Sequence, residues 1–371
     1  MTKKIGFKNS AVSFFVVISI FLMSGCTEVI SDLSSIKYVE SPTHIQYTLS
    51  YGYTVHPTGT GSYEILYRCE LPSVLAGSVT YEVLHDTDYS ITTMLNTSMI
   101  EWNISSDENQ KFNLGITADI NAHCFYITDL TGKGAQTIES IHEMHPELAA
   151  QYCHEQSNET IVFITPKNTD IVRVASEVCQ ETASSNAVLV AKALFAWLKE
   201  HTAYSLHSST DSDIQPAPTT LIKKTGDCDD LSFLYVSLCR SVGIPARFIR
   251  GYLLAEDASG MVTATPHAWV EVFVGGDLGH QGWIPVECAS TSSSPTADIH
   301  QNFGCESASH VRLFVDDGSN ESISVFMQGI SYKIFNKNRH MTIEPITQIQ
   351  NYAVLVKQKL VITQDNQRSF E

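Results

Sequence analysis

Short runs in which apolar and polar residues alternate dominate the chain from about residue 46 to residue 166. The runs are rich in Tyr, Val, Ile and Thr, and Gly, Pro, Asn and Asp separate them. Alternation with a period of two gives a strand one apolar face, and β-branched and aromatic residues favour strands. The pattern predicts a β-rich domain resembling a sandwich. Its predicted strands are HIQYTLSYGYTV, SYEILYRCEL, SVTYEVLH, KFNLGITADI and ETIVFIT.

The hydrophobic period changes after Pro166. Residues 184–202 carry apolar side chains three and four positions apart, which predicts one face of a helix that begins at a serine cap in 184–185. Residues 228–242 repeat this spacing, and a glycine and a proline follow them. The sequence therefore predicts two amphipathic helices in this part of the chain.

More strand-like runs follow the second predicted helix. ARFIRGYLLA, HAWVEVFV and GWIPVECA predict a sheet, and later come HVRLFV, ISVFMQGISYKIF and YAVLVKQKLVIT. The predicted fold class is α+β, in which a β-sandwich-like domain precedes a domain of helices and antiparallel strands. The predicted divisions are a signal peptide (1–25), a tether (26–45), the β-rich domain (46–166), the helix-and-sheet domain (167–300) and a C-terminal β-strand extension (301–371).

The N-terminus has the pattern of an export signal. A basic start precedes the apolar residues 11–23, which would span about 20 Å as a helix, less than the roughly 30 Å of a bilayer core. Ser-Gly-Cys follows, so we expect a cleaved signal peptide and a lipidated Cys26. An uncleaved signal anchor is the alternative. Both predict an extracytoplasmic protein held at the cell membrane.

Composition limits the classes of protein to consider. The chain has 371 residues, of which 43% are hydrophobic and 17% charged, enough to build packed cores in two domains. A formal net charge of −17 argues against nucleic acid as a partner. Nine cysteines occur without a CxxC pair. Export would permit disulfides, but their connectivity stays open.

Cys228 lies where the second predicted helix begins. With Asp227 as N-cap, Cys228 is the first helical residue, and the helix dipole favours its thiolate. Asp229 and Asp230 suit the same helix end but oppose a negative sulfur. A cationic partner would therefore be needed to activate the thiol.

A histidine and a glutamate on the following strands supply such a partner. In a hairpin with residue 273 opposite residue 281, His267 lies opposite Glu287 with Cβ atoms roughly 5 Å apart. Cys228, His267 and Glu287 would then be nucleophile, base and orienting acid. This register is a hypothesis, because a one-residue slip would place the two side chains on opposite faces. Trp269 and Trp283 share the face and either wall a substrate groove or pack in the core.

Three ordered motifs carry a family resemblance. TGDCDDLSFLYVSLCRSVGIPARFIRGY, HAWVEVFV and GWIPVECAST resemble the transglutaminase-like superfamily, which has a papain-like α+β fold. The resemblance covers about residues 190–291. It implies Cys228 as nucleophile, His267 as base and Glu287 at a third position where the family more often has Asp. It also implies a thiol enzyme that acts on amide bonds of proteins or peptides and passes the acyl group to water or to an amine. No cofactor is expected.

Other interpretations of the same residues stay open. One alternative is a cell-surface binding protein that has the transglutaminase-like fold but no catalytic activity. A zinc site is another interpretation, although the spacing lacks paired ligands. Its ligands would be Cys228, His267, Asp227 and Glu287. Tyr204 matches an aromatic residue often seen after the first helix of the family, and core packing is its default role.

Overall fold

The computed structural model describes residues 2–4, 35–85, 87–94, 97–154, 161–207, 214–292, 294–326 and 329–371. Its helices are α1 (Ile138–Met144), α2 (Pro146–Tyr152), α3 (Thr169–Thr182), α4 (Ala187–His201), α5 (Ala217–Lys223), α6 (Cys228–Ser241), α7 (Pro295–Asn302) and α8 (Asn320–Phe326). Its strands are β1 (Thr2–Lys4), β2 (Ser35–Gly59), β3 (Tyr63–Glu70), β4 (Gly77–His85), β5 (Ser90–Met94), β6 (Thr97–Ser106), β7 (Phe112–His123), β8 (Phe125–Tyr126), β9 (Ala203–Tyr204), β10 (Thr225–Gly226), β11 (Ala246–Glu256), β12 (Val262–Phe273), β13 (Trp283–Val286), β14 (Cys305–Glu306), β15 (His310–Val315), β16 (Ser331–Ile334), β17 (Arg339–Thr363) and β18 (Arg368–Phe370).

Two antiparallel sheets of five strands form a sandwich. Their strand orders are β1–β16–β3–β6–β5 and β18–β17–β2–β7–β4. Tyr47 and Leu49 of one sheet and Ile65 and Trp102 of the other are buried in one hydrophobic cluster. Alternating burial along β2 and β3 places these side chains inward, as the period of two predicts. The predicted α+β fold class is confirmed.

The division of the chain differs from the predicted one at both ends of the sandwich. Residues 35–45 lie in β2, where the sequence predicted a tether. β17 pairs along the length of β2, and β16 pairs with β3, so residues 301–371 do not form a separate extension. The alternation of a strand shows which face is apolar and leaves its partner strand undetermined. The strands that complete the sandwich therefore come from the end of the chain.

A four-stranded sheet and several helices form the second unit. The sheet has the order β13–β12–β11–β15, and α6 packs on it through Phe233, whose ring lies 4.6 Å from that of Phe248. The Tyr235 hydroxyl donates to the Ala191 carbonyl (2.9 Å) and joins α6 to α4. These contacts build the core that holds α6 in place.

The core of the second unit begins earlier than residue 167. Ile127, Ile141 and Ile164 belong to the same cluster as the side chains of α6. α1 and α2 have seven residues each, too few for a clear helical period. Within the predicted strand ETIVFIT, residues 161–165 form no strand, and the preceding residues lie outside the described ranges.

The two predicted helices are confirmed as α4 and α6, with one change at a cap. The side chain of Asn186 accepts from the Leu189 amide (3.2 Å), so Asn186 caps α4 in place of a serine. The segment ISVFMQGISYKIF, predicted as one strand, begins with residues of α8 and ends in β16. The predicted signal peptide core and Cys26 fall outside the described residues. Of the helices in the described ranges, none is both long and apolar enough to cross a membrane.

Candidate active site

A capping box fixes the beginning of α6. The Asp227 side chain accepts from the amides of Asp229 (3.1 Å) and Asp230 (3.4 Å). Asp230 Oδ2 accepts in return from the Asp227 amide (3.1 Å). Two amides that lack acceptors inside the helix are thereby satisfied, and Cys228 becomes the first helical residue. The predicted cap is confirmed.

Asp230 also anchors the chain around the start of α6. Its fully buried carboxylate accepts from the backbone amide (2.8 Å) and the side-chain amide (2.7 Å) of Gln215. His207 Nε2 lies 2.8 Å from Asp230 Oδ2. A Cβ atom on Gly226 would lie 2.5 Å from the Cβ of Asp230, so this position accepts only glycine without rearrangement. The aspartates beside Cys228 thus hold the backbone that presents the thiol.

His267 and Glu287 are in direct contact, although the predicted register is wrong. Phe273 pairs with Trp283, where the sequence hypothesis placed residue 281. The shift is two residues, so each side chain keeps its face of the sheet. His267 Nε2 lies 2.7 Å from Glu287 Oε2, and the two residues meet diagonally across the strands.

The thiol of Cys228 completes a chain of three groups. The Cys228 thiol lies close enough to the His267 ring for each group to shift the pKa of the other. Because His267 Nε2 faces Glu287, we assign the sulfur contact to Nδ1. The structure therefore brings the three predicted residues together in the order Glu287, His267, Cys228. Their catalytic roles stay a prediction.

Glu287 is held by donors on both of its oxygens. Besides His267, it accepts from His310 Nε2 at Oε2 (3.1 Å) and from the Ala289 amide at Oε1 (2.7 Å). On the other side of the ring, His310 Nδ1 lies 2.8 Å from the Ser307 hydroxyl. This clamp fixes the carboxylate of Glu287 against His267.

Sequence reasoning missed His310. It begins β15, and the sequence HVRLFV shows only a polar residue ahead of an apolar strand. Its ring packs edge-on against Trp269, with centroids 4.7 Å apart. β15 reaches the site because it pairs with β11, and no spacing in the sequence indicates that pairing.

Buried charges behind the site hold Trp269. Its Nε1 donates to Glu306 Oε2 (2.8 Å), and Arg312 Nε donates to Glu306 Oε1 (3.0 Å). Arg312 also pairs with Glu271 (2.7 Å). Trp269 therefore has a fixed position against the His267 ring, with ring centroids 5.9 Å apart and planes 20° from parallel.

The other tryptophan of the predicted face lies elsewhere. Trp283 packs on Phe273 (5.3 Å between centroids), and the Arg247 guanidinium covers its ring at 4.1 Å. Trp283 is buried in the core of the unit. Of the two, only Trp269 contacts the His267 ring.

The charges of Glu287 and His267 support each other. Burial alone would raise the pKa of Glu287, but His267 and the bond from His310 hold this pKa well below its usual range. Burial alone would lower the pKa of His267, but Glu287 and Cys228 raise it to about 10. At neutral pH the pair is an imidazolium and a carboxylate.

The environment of Cys228 does not stabilise an isolated thiolate. Burial and then Asp229 raise the pKa of its thiol above the usual value, although the His267 ring beside it lowers this pKa in part. Burial also raises the pKa of Asp229, and the Arg250 charge opposes this effect. The aspartates therefore oppose the thiolate as the sequence predicted, and His267 is the cation that favours it.

Tyr204 lies beside the thiol. β9 and β10 pair in parallel, with Tyr204 next to Gly226, two residues before Cys228. Burial raises the pKa of Tyr204, and the charges of Cys228 and Asp227 raise it further. Tyr204 also packs against the core, as its predicted default role requires. Core packing does not account for its position beside the thiol.

Two clusters of described residues have the composition of metal sites. Ligand atoms of His267, Glu287 and His310 lie within 4.8 Å of one another. Both oxygens of Glu287 already accept hydrogen bonds, so the cluster is complete without an ion. The predicted zinc set is divided, because Asp227 groups instead with His207 and Asp230.

The chain contains a transglutaminase-like domain. Residues 174–288 match the sequence profile of the transglutaminase-like superfamily, and this span includes Cys228, His267 and Glu287. The uncharacterized protein YebA of Bacillus subtilis (strain 168) is 35% identical over 81 residues, covering 19% of this chain and 10% of that protein. The uncharacterized protein ML0607 of Mycobacterium leprae (strain TN) is 29% identical over 120 residues, covering 30% and 39%. The chain thus spans well under half the length of either relative.

Solved structures with a similar arrangement share little sequence with the chain. A candidate cysteine protease from Cytophaga hutchinsonii has a TM-score of 0.46 at 16% identity, covering 90% of this chain and 99% of that one. The periplasmic domain of TgpA from Pseudomonas aeruginosa, bound to ethylmercury, has a TM-score of 0.31 at 14% identity, covering 70% and 91%. These likenesses concern the fold alone.

Proposed function

We propose that this protein is a thiol enzyme that acts on amide bonds of proteins or peptides. Cys228 attacks the carbonyl carbon and forms an acyl-thioester, which then passes to water or to an amine. The observation that carries the proposal is the contact of Glu287 with His267, whose ring lies beside Cys228 at the beginning of α6.

The reaction uses the proton that His267 already carries. Because His267 is an imidazolium beside Glu287, release of the Cys228 proton to solvent gives a thiolate paired with that imidazolium. Glu287 stabilises the imidazolium, and the positive end of the α6 dipole stabilises the thiolate. The imidazolium then protonates the leaving amine, and His267 later removes a proton from the incoming water or amine. The Cys228 amide, in the first turn of α6, is a donor for the oxyanion.

Alkylation of the intact protein tests the activated thiol. We expect iodoacetamide to label Cys228 at pH 7 more slowly in His267→Ala than in the wild type, because the variant loses the cation that lowers the pKa of the thiol. His340→Ala is the control, because it changes an exposed histidine on β17. If Cys228 reacts equally fast in the wild type and in His267→Ala, the enzyme proposal is wrong and the binding-protein interpretation is favoured.

Acyl-donor peptides test the reaction itself. The protein is incubated with glutamine-containing and glutamine-free peptides, with and without an added primary amine. Mass spectrometry of the products then separates hydrolysis from acyl transfer. Cleaved or deamidated products indicate hydrolysis, and amine adducts indicate transfer. Cys228→Ala must abolish both. Products that persist in this variant would contradict the proposal.

We also propose that the protein is exported and anchored through a lipid on Cys26. The basic start, the apolar residues 11–23 and the small residues before Cys26 support this proposal. Metabolic labelling with an alkyne fatty acid should mark the wild type in the membrane fraction and leave Cys26→Ser unlabelled. Equal labelling of the wild type and Cys26→Ser would exclude Cys26 as the lipidated residue.

A further inference from the structure

Two cysteines outside the candidate active site face each other. The Sγ atoms of Cys124 and Cys305 lie 3.7 Å apart although 181 positions separate the residues. Cys124 lies between β7 and β8, and Cys305 begins β14. β8 and β14 form a ladder of only two residue pairs, with Cys305 beside Tyr126. A backbone that is already paired here holds the two thiols at a short distance.

A thiol reagent can approach the pair through Cys124. Both cysteines are partly exposed, and Cys124 lines a cavity of about 250 Å³ together with His44 and His123. The contact between the two sulfurs lowers the pKa of the Cys305 thiol and raises that of the Cys124 thiol, so Cys305 ionises first. A thiolate with access to solvent is the form that exchanges with disulfides.

We propose that Cys124 and Cys305 form a disulfide by exchange with a small-molecule or protein disulfide. A disulfide bond is about 2.05 Å long, so the sulfurs must approach by about 1.7 Å from 3.7 Å, within the reach of side-chain rotation. This inference does not depend on the proposed function, because neither cysteine belongs to the candidate active site.

The exchange balances in two steps. One protein thiolate attacks a sulfur of the oxidant, forms a mixed disulfide and releases one thiolate. The second protein thiolate attacks the protein sulfur of the mixed disulfide and releases the other half of the oxidant. The two protons of the protein thiols pass to the two released thiolates. The protein is oxidised by two electrons, and the oxidant is reduced to two thiols.

The bond would hold the segment that supports the candidate active site. Glu306 follows Cys305 and accepts from Trp269 and Arg312. The chain then continues through Ser307 to His310. A two-residue ladder is a weak attachment for such a segment, and a covalent link to β8 would keep it in place when the ladder opens.

Oxidised glutathione tests the proposal on the full chain. The protein carries Cys228→Ala, so the candidate nucleophile does not take part, and the result is independent of the proposed function. After incubation, free thiols are alkylated in denaturant, and peptides are mapped by mass spectrometry. We expect a cross-linked peptide pair containing Cys124 and Cys305, lighter by two hydrogen atoms than the reduced pair. Hydrogen exchange at residues 305–307 should slow in the oxidised form.

Matched variants give the outcomes that decide. Cys124→Ser and Cys305→Ser should give no such pair, and Cys179→Ser, which removes a thiol outside the pair, should give it as the wild type does. Oxidation should raise Tm by about 5 °C in proteins that contain both cysteines. If the Cys228→Ala protein keeps both thiols alkylatable after oxidation, or links either of them to a third cysteine, the proposal is wrong. This result needs neither serine variant to fold.

Discussion

Replacing Glu287 with Gln should change how the stability of the protein depends on pH. The change keeps the size of the side chain and removes the charge that faces His267. In the wild type the pKa of His267 is raised from 6.5 to about 10. A raised pKa contributes stability that is fully present below the unfolded value and is lost as pH rises through the folded value. The relevant window is therefore pH 6.5 to 10.

The pKa of His267 sets the expected magnitude. With unfolded and folded pKa values of 6.5 and about 10, linkage gives about 4 kcal/mol from His267 at pH 7 and about 1 kcal/mol at pH 9. The wild type should therefore lose roughly 2–3 kcal/mol between these pH values through this residue. In Glu287→Gln, burial without the counter-charge lowers the pKa of His267, and this loss should disappear.

The assay is the free energy of unfolding in urea at pH 7 and at pH 9. The result is the difference in slope between wild type and Glu287→Gln, in which groups that titrate alike in both proteins cancel. The contribution of the depressed pKa of Glu287 stays constant, because this pKa lies far below the window. Glu344→Gln, at an exposed acid of β17, should keep the wild-type slope. Equal slopes for wild type and Glu287→Gln would refute the assignment of His267 as a cation held by Glu287.

Three further substitutions test single contacts of the site. His310→Phe keeps a ring against Trp269 but removes the donor to Glu287. A hydrogen bond to a charged group is worth about 1.5–3 kcal/mol. Because Glu287 would hold His267 less firmly without this bond, iodoacetamide labelling of Cys228 should slow about tenfold. An unchanged rate would contradict the clamp. Tyr204→Phe tests the Tyr204 hydroxyl, which lies beside the thiol, as a second oxyanion donor. It should slow release of nitroaniline from an acyl-anilide about tenfold and leave alkylation unchanged, because alkylation develops no oxyanion. Equal effects on both reactions would exclude this role. Gly226→Ala should lower the free energy of unfolding in urea by about 1–3 kcal/mol, because its Cβ would meet Asp230.

Much of the candidate site follows from local rules of the sequence. Asp227 caps α6 because its carboxylate lies next to amides that have no other acceptor. Strand alternation places His267 and Glu287 on one face, and an even shift of register preserves that face. This is why an incorrect register still predicted the correct contact.

Other parts of the site and the fold have no local signal. His310 reaches Glu287 only because β15 pairs with β11, and Tyr204 reaches Cys228 only because β9 pairs with β10. α1 and α2 are too short to show a helical period.

The sequence by itself determined the helix that presents the thiol, the faces of the strands and the family of the central domain. Only the tertiary structure decided that β17 covers β2, that Cys305 faces Cys124 and that a second histidine holds Glu287. Caps and periodicity depend on residues a few positions apart, so they are visible in the sequence. Strand partners and buried hydrogen bonds depend on how distant segments pack, and that choice is made by the free energy of the whole fold.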